Sequence, residues 1–179
     1  MAKTPVALPK DDAEWKGLVE QMLDVAGDRS AVIIGAALVE VSLDELARSW
    51  LLPDAQLGFL GTYGAKKDLA YALGYIDDPD VPLLNAISAI RNVFAHHLLE
   101  ATFEHPEVRK HLQQLEAHRG PGEARQVFAR AVMWLVPHLR LRRREYGVSR
   151  DAFRKAAQER NTAEWIIAAR KVRGETDNE

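Results

Sequence analysis

The chain has 179 residues, which is enough for one well-packed domain and too few for two full-sized ones. The absence of cysteine excludes a disulfide framework and a thiolate metal site, and is typical of a reducing cytoplasm. The net charge of −2 is unevenly distributed: residues 1–137 hold 13 Lys/Arg against 19 Asp/Glu, residues 138–173 hold 11 against 4, and the last six hold 3 acids. We therefore expect an acidic helical core over 1–137 and a basic helical extension over 138–179, packed on the same domain.

Helical periodicity dominates the sequence, and no segment alternates apolar and polar residues for long enough to indicate a sheet. The pattern predicts an all-α fold, a single bundle of about six to eight helices. In chain order the predicted helices cover 11–26, 28–52, 66–74, 81–97, 104–118 and 123–136, followed by basic helical segments after Pro137. Expected boundary residues are Asp11 or Asp12 as the first cap, Gly74 as a left-handed stop, and Asp80 as a cap.

Two of these helices are expected to form the centre of the bundle. The segment 28–52 is apolar nearly all round, although Glu40 and Asp44 interrupt it well before a membrane-spanning length. The segment 81–97 has an apolar stripe at spacings of three and four, made of Leu83, Leu84, Ile87, Ile90 and Phe94 and continued by Leu98. We therefore expect that the chain does not enter a membrane. Together with the absence of cysteine, this predicts a cytoplasmic protein.

The helix at 81–97 ends in "IRNVFAHH", which places polar residues beside an apolar run. On an ideal helical wheel, Arg91 and His96 lie about 140° apart. One straight helix therefore cannot direct both side chains at one small ligand. A helix break near the motif, or a second copy of the helix across a two-fold axis, would bring them together, and the second route predicts a homodimer.

Two interpretations of this motif remain open. In the first, it cleaves RNA without a metal: His96 transfers protons, Arg91 stabilises the charge on the phosphoryl group, and Asn92, one turn before His96, orients the imidazole. In the second, the motif is structural, and Arg91 pairs with Glu40 or Asp44. His96 and His97 then cap the last carbonyls of the helix.

The motif "RNVFAH" resembles the R-x4-H signature of HEPN domains, all-helical modules of which many are dimeric, metal-independent endoribonucleases. A longer stretch is similar to the mannitol operon repressor (MltR) family: "DRSAVIIGAALVEVSLDELARSWLL", "KKDLAYALGYIDD" and "LLNAISAIRNVFAHHLLEATFEHPEVRKHL", over residues 28–115. This resemblance implies a transcriptional regulator or co-regulator without a standard DNA-reading motif. It also implies that Arg91, Asn92 and His96 are shared polar positions and that Asp28 and Arg29 form another polar pair.

The basic extension has no counterpart in that resemblance. Its cations are candidates for contact with RNA or DNA phosphates, and the alternatives are a solvated helix face or a contact with the acidic core. These candidates are Arg140, Arg142, Arg143, Arg144, Arg150, Arg154 and Lys155. A minor helix-turn-helix interpretation uses Ala157, Asn161 and Ile167.

The sequence contains no motif for a cofactor. The six histidines match neither H-E-x-x-H nor H-x-x-E-H, and no phosphate-binding glycine loop follows a predicted strand. We expect no metal and no cofactor. The favoured function is a regulator or co-regulator, with a possible protein partner; the alternatives are an endoribonuclease in a toxin or defence setting, and a protein-interaction module.

Overall fold

The computed structural model describes residues 11, 13–15, 17, 20, 27–49, 58–97 and 101–146. All regular elements within these residues are helical, so the predicted all-α class is confirmed. The main helices are α1 (Asp28–Arg48), α2 (Tyr63–Ala72), α3 (Asp80–His96), α4 (Pro106–Arg119) and α5 (124–146). The described N-terminal positions 13–15, 17 and 20 are also helical, and a short 3-10 turn, Gly58–Gly61, precedes α2.

Glycines mark three helix boundaries. Gly27 precedes α1, Gly74 follows α2 and Gly120 follows α4, with φ angles of 96°, 71° and 82°. These angles are favourable for glycine, which lacks the Cβ that obstructs other residues there. The stop predicted at Gly74 is therefore confirmed. At the N-terminal segment the predicted Asp11 cap is also confirmed, because its carboxylate accepts the Glu14 N–H at 2.9 Å.

The buried stripe of α3 is the centre of the hydrophobic core. All five predicted residues within the described part of the chain are buried: Leu83, Leu84, Ile87, Ile90 and Phe94. The Phe94 ring packs edge-on against Phe103, which in turn contacts Phe128 of α5. Full burial of such side chains contributes about 1.5–3 kcal/mol each, so this stripe determines how α3 is oriented in the bundle.

Two contacts establish that α1 and α3 run antiparallel. Arg29, at the start of α1, donates hydrogen bonds to the carbonyls of Phe94 and His97 at the end of α3. Further along α1, Glu40 lies within electrostatic reach of Tyr63, whose hydroxyl donates to the Leu84 carbonyl at 3.0 Å. Burial, and then Glu40, raise the pKa of Tyr63, so this hydroxyl remains a donor. The N-terminal half of α1 therefore lies beside the C-terminal half of α3.

Helix α5 corrects one prediction. The sequence predicted that this helix ends near Pro137, whereas it continues without interruption from 124 to 146. A proline inside a helix removes one backbone hydrogen bond and costs about 3 kcal/mol. The buried residues on both sides of it, including Val132, Leu135, Val136 and Leu139, offset that cost by holding both halves of α5 against the core.

Candidate functional site

The motif residues lie on the solvent-facing side of α3. Arg91, Asn92 and His96 are all exposed, and α3 remains helical until His96, with His97 as its C-cap. The helix break that could have brought Arg91 and His96 together within one chain is therefore not observed. The two side chains lie at opposite edges of the exposed face, and Asn92 lies between them.

The ion pair of Arg91 with Glu40 or Asp44, expected if the motif is structural, is not formed. Glu40 binds Lys66 of α2 at 2.9 Å, and Asp44 lies 3.5 Å from the same ammonium and 2.9 Å from Arg48. Both carboxylates are thus used to attach α2 and to support the end of α1. Within the described residues, no carboxylate forms an ion pair with Arg91, so its guanidinium is available to a ligand or to another chain.

The residues Asp28 and Arg29 form a clasp around the C-terminal end of α3. The Arg29 guanidinium donates to the carbonyls of Phe94 and His97, the second at 2.8 Å, while the Asp28 carboxylate accepts the Phe103 N–H at 3.2 Å. A cation at this end also opposes the negative pole of the helix dipole. The capping role predicted for His96 and His97 therefore belongs to Arg29.

An exposed apolar strip of α1 lies beside the motif. Ile33 follows Arg29 by one helical turn and is 42% exposed, and Ala37, one turn further on, is also exposed. Because Arg29 contacts the carbonyls of Phe94 and His97, in the antiparallel arrangement Ile33 lies at about the level of Arg91, and Ala37 lies one turn further towards the start of α3. We call this surface the α1–α3 face, defined by Ile33, Ala37, Arg91, Asn92, Ala95 and His96.

The described cations of the basic extension are largely engaged with the protein itself. Arg142 forms an ion pair with Asp77, and Arg143 binds Glu45 at 2.7 Å. Arg140 lies over the Trp15 ring at 4.8 Å from its centroid. These contacts correspond to the alternative in which the basic segment docks on the acidic core. Arg144 is exposed, whereas Arg150, Arg154 and Lys155 and the helix-turn-helix candidate lie outside the described residues.

Sequence analysis did not identify the cluster at the other end of α3. Asp80, expected as a cap, is instead the first residue of α3 after Pro79, and its side chain is buried. Its carboxylate accepts the Asp77 N–H at 3.0 Å and lies 3.3 Å from His138 Nε2. Burial alone would raise the pKa of Asp80, but the hydrogen bonds from His138 and Asp77, with the attraction of His138 and Arg142, outweigh burial and lower it.

The same cluster continues across α5 to α4. The His138 ring is stacked on Trp134, with centroids 4.3 Å apart, and the Arg119 guanidinium lies 3.5 Å from the Trp134 centroid. The i, i+4 spacing of Trp134 and His138 is the one sequence signal that could have predicted their contact, had the helix been expected to continue past Pro137. Their connection to Asp80 joins residues 58 positions apart, and no local pattern predicts it.

The described residues meet neither the requirements of a metal site nor those of a membrane-spanning helix. In the part that the structure describes, three or more His, Cys, Asp or Glu side chains nowhere converge as a metal site. Of the helices described, none combines the length and apolar character needed to cross a membrane. No protein-family model, curated protein or solved structure matches the chain.

Proposed function

We propose that the protein is a regulatory protein that acts through protein–protein contacts and associates as a homodimer through the α1–α3 face. The observation that carries this proposal is that the polar motif Arg91, Asn92 and His96 is exposed on α3, and that apolar Ile33 is exposed on the neighbouring helix α1. A co-regulator needs a surface rather than a catalytic cleft. The pairing of Arg142 and Arg143 with core carboxylates leaves these two cations engaged within the chain, which supports a role that does not depend on reading DNA.

A two-fold axis through the α1–α3 face would complete the site. Small Ala37 and Ala95 allow the helices of two copies to approach closely, and Ile33 supplies apolar area. The same axis would bring Arg91 of one copy towards His96 of the other, which one straight helix cannot do. The proposed interface must bury about 800 Å² from each copy to be stable.

An arginine at position 95 tests this interface. We expect the parent to sediment as a dimer at tens of micromolar and Ala95→Arg to dissociate at least about tenfold more readily, because the new cation is placed beside Arg91. Ala72→Arg, the same change at an exposed alanine of α2, is the matched control and is expected to remain dimeric. The proposed interface would be contradicted if the parent and both variants were monomers, or if all three formed equally stable dimers.

A second candidate function is RNA cleavage, favoured by the exposure of Arg91 and His96. In this reaction an imidazole accepts the 2′-hydroxyl proton, the 2′-oxygen attacks phosphorus, and the 5′-oxygen leaves with a proton. The products are a 2′,3′-cyclic phosphate and a 5′-hydroxyl. Arg91 of one copy would stabilise the phosphoryl charge, while Asn92 orients His96.

Incubation with mixed RNA in EDTA tests this second function. If it is correct, the parent cleaves and His96→Ala loses at least about a hundredfold of the rate, the usual minimum contribution of a general acid or base. His118→Ala is the control, since His118 is an exposed histidine at the far end of α4. A parent that dimerises but does not cleave RNA would exclude the nuclease and leave the regulatory proposal intact. The failure of one proposal can therefore be distinguished from the failure of the other.

A further inference from the structure

A groove runs along the exposed side of α5, at a distance from the α1–α3 face. Its volume is about 330 Å³, and its lining residues are Met133, Trp134, Pro137, His138, Arg140, Leu141 and Arg144. Leu141 is 55% exposed, the largest exposure among the large apolar side chains described. From 133 to 144 the groove extends about 16 Å, or three helical turns, at the rise of an α-helix. We call it the α5 groove.

The composition of the α5 groove is that of a protein interface. Trp, Met and Arg are enriched at the centres of such interfaces, and the described residues that line this groove include no Asp, Glu or Lys. Its stripe of side chains at spacings of three and four is the pattern by which one helix packs against another. The groove therefore has the length and the surface chemistry to accept a partner helix.

The charge of the α5 groove is positive and lacks a counter-charge within the described residues. Neither Arg140 nor Arg144 forms an ion pair with a described carboxylate, and Arg140 has a buried guanidinium nitrogen without a hydrogen-bond partner. Arg119, which lies on Trp134, likewise has a buried nitrogen without a partner. By contrast, Arg142 and Arg143 on the same helix are paired with carboxylates. Within the described residues, Arg140 and Arg144 of the groove thus have no carboxylate partner; Arg130, outside the groove, also has none, but its guanidinium donates to the carbonyls of Gly120 and Pro121.

The surroundings of Trp134 indicate whether the α5 groove is suited to a nucleic acid or to a protein. Its ring has His138 stacked at 4.3 Å and the Arg119 guanidinium at 3.5 Å, and both groups cannot occupy one face at these distances. Both faces are therefore covered, and neither is open for a nucleobase to stack upon. The exposed groups of the groove are the apolar side chain of Leu141 and the side chain of Arg144. We propose that the α5 groove binds an amphipathic helix of a partner protein, with apolar side chains on one face flanked by Asp and Glu.

This proposal is independent of the α1–α3 face, and a phage-displayed library of helical peptides tests it. The library is selected on the parent alone, and the selected peptides are then tested on the double variant Leu141→Glu, Arg144→Glu. We expect the selected peptides to have apolar residues at i, i+4 and i+7 and a surplus of Asp and Glu. A selected peptide labelled with fluorescein should bind the double variant at least about tenfold more weakly in fluorescence anisotropy.

Leu73→Glu is the matched control, because Leu73 is 42% exposed and lies outside the α5 groove. It should bind the peptide as the parent does, and unchanged circular dichroism of all variants verifies their folding. Selection of peptides without an acidic surplus, or equal binding by the double variant, would overturn the proposal. Equal affinity for single-stranded RNA of the same charge would reassign the groove to polyanions. Self-association of the parent that Leu141→Glu abolishes would reassign it to a second copy.

Discussion

The variant Asp80→Ala is expected to unfold with a free energy about 3 kcal/mol below that of the parent, near the upper end of the cost of leaving polar groups without their hydrogen-bond partner. Asp80 is only 3% exposed, and its carboxylate satisfies both the Asp77 N–H and His138. Its removal leaves both groups without a partner and detaches the start of α3 from α5. Urea denaturation at pH 7 measures the difference. Asp78→Ala, which removes an exposed carboxylate bound to Tyr71, is the control and should cost much less.

The pH dependence of this loss follows from the lowered pKa of Asp80. A carboxyl whose pKa is lower in the folded state contributes stability that is fully present above its unfolded pKa, about 3.9, and is lost as the pH falls through the folded value. The difference in stability between the parent and Asp80→Asn should therefore be constant near neutrality and shrink in the acid range below about pH 4. A difference that stays constant down to pH 2 would show that ionised Asp80 has no stabilising role.

The variant Arg29→Ala is expected to lower the free energy of unfolding by about 2–3 kcal/mol, because hydrogen bonds made by a charged group contribute more than neutral ones. Arg29 donates to the carbonyl of Phe94 in the last turn of α3 and to the carbonyl of the C-cap His97, which also accepts the Ala101 N–H at 3.2 Å. Amide hydrogen exchange should accelerate in the last turn of α3, where His96 lies, before it does elsewhere. Chemical denaturation and exchange monitored by mass spectrometry measure the two effects.

Two further variants make the Arg29 prediction specific. Arg29→Lys should recover only part of the lost stability, since an ammonium lacks the planar fork that reaches two carbonyls at once. Arg48→Ala removes an exposed ion pair with Asp44 within α1 and should cost no more than about 0.5 kcal/mol. Equal losses for Arg29→Ala and Arg48→Ala would mean that the clasp does not stabilise the end of α3.

The helices were predictable where a local rule determined them. The apolar stripe of α3 and the stop at Gly74 depend on spacing and on backbone stereochemistry within a few residues, and both agree with the structure. The predicted end of α5 at Pro137 was wrong, because the prediction considered only the local cost of a proline in a helix. Tertiary burial of α5 on both sides of Pro137 outweighs that cost.

The sequence predicts how the motif residues are arranged around α3, but not the contacts that the neighbouring helices make. Spacing alone indicated that Arg91 and His96 diverge on one helix, and the unbroken α3 agrees. The predicted ion pair of Arg91 with Glu40 or Asp44 was wrong, because several cations compete for the same carboxylates. Lys66, which is far closer to them in space than the sequence suggests, binds both.

The sequence by itself determined that this protein is helical, which residues of α3 face the core, and where the polar motif occurs along the chain. These features depend on a period of about 3.6 residues and on the backbone limits of glycine, and both are local. Only the tertiary structure decided that Arg29 clasps the end of α3, that Asp80 contacts His138 of α5, and that residues 133–144 of α5 line a groove. Such pairings depend on which charged groups meet after the core has packed, and no pattern within one helix contains that information.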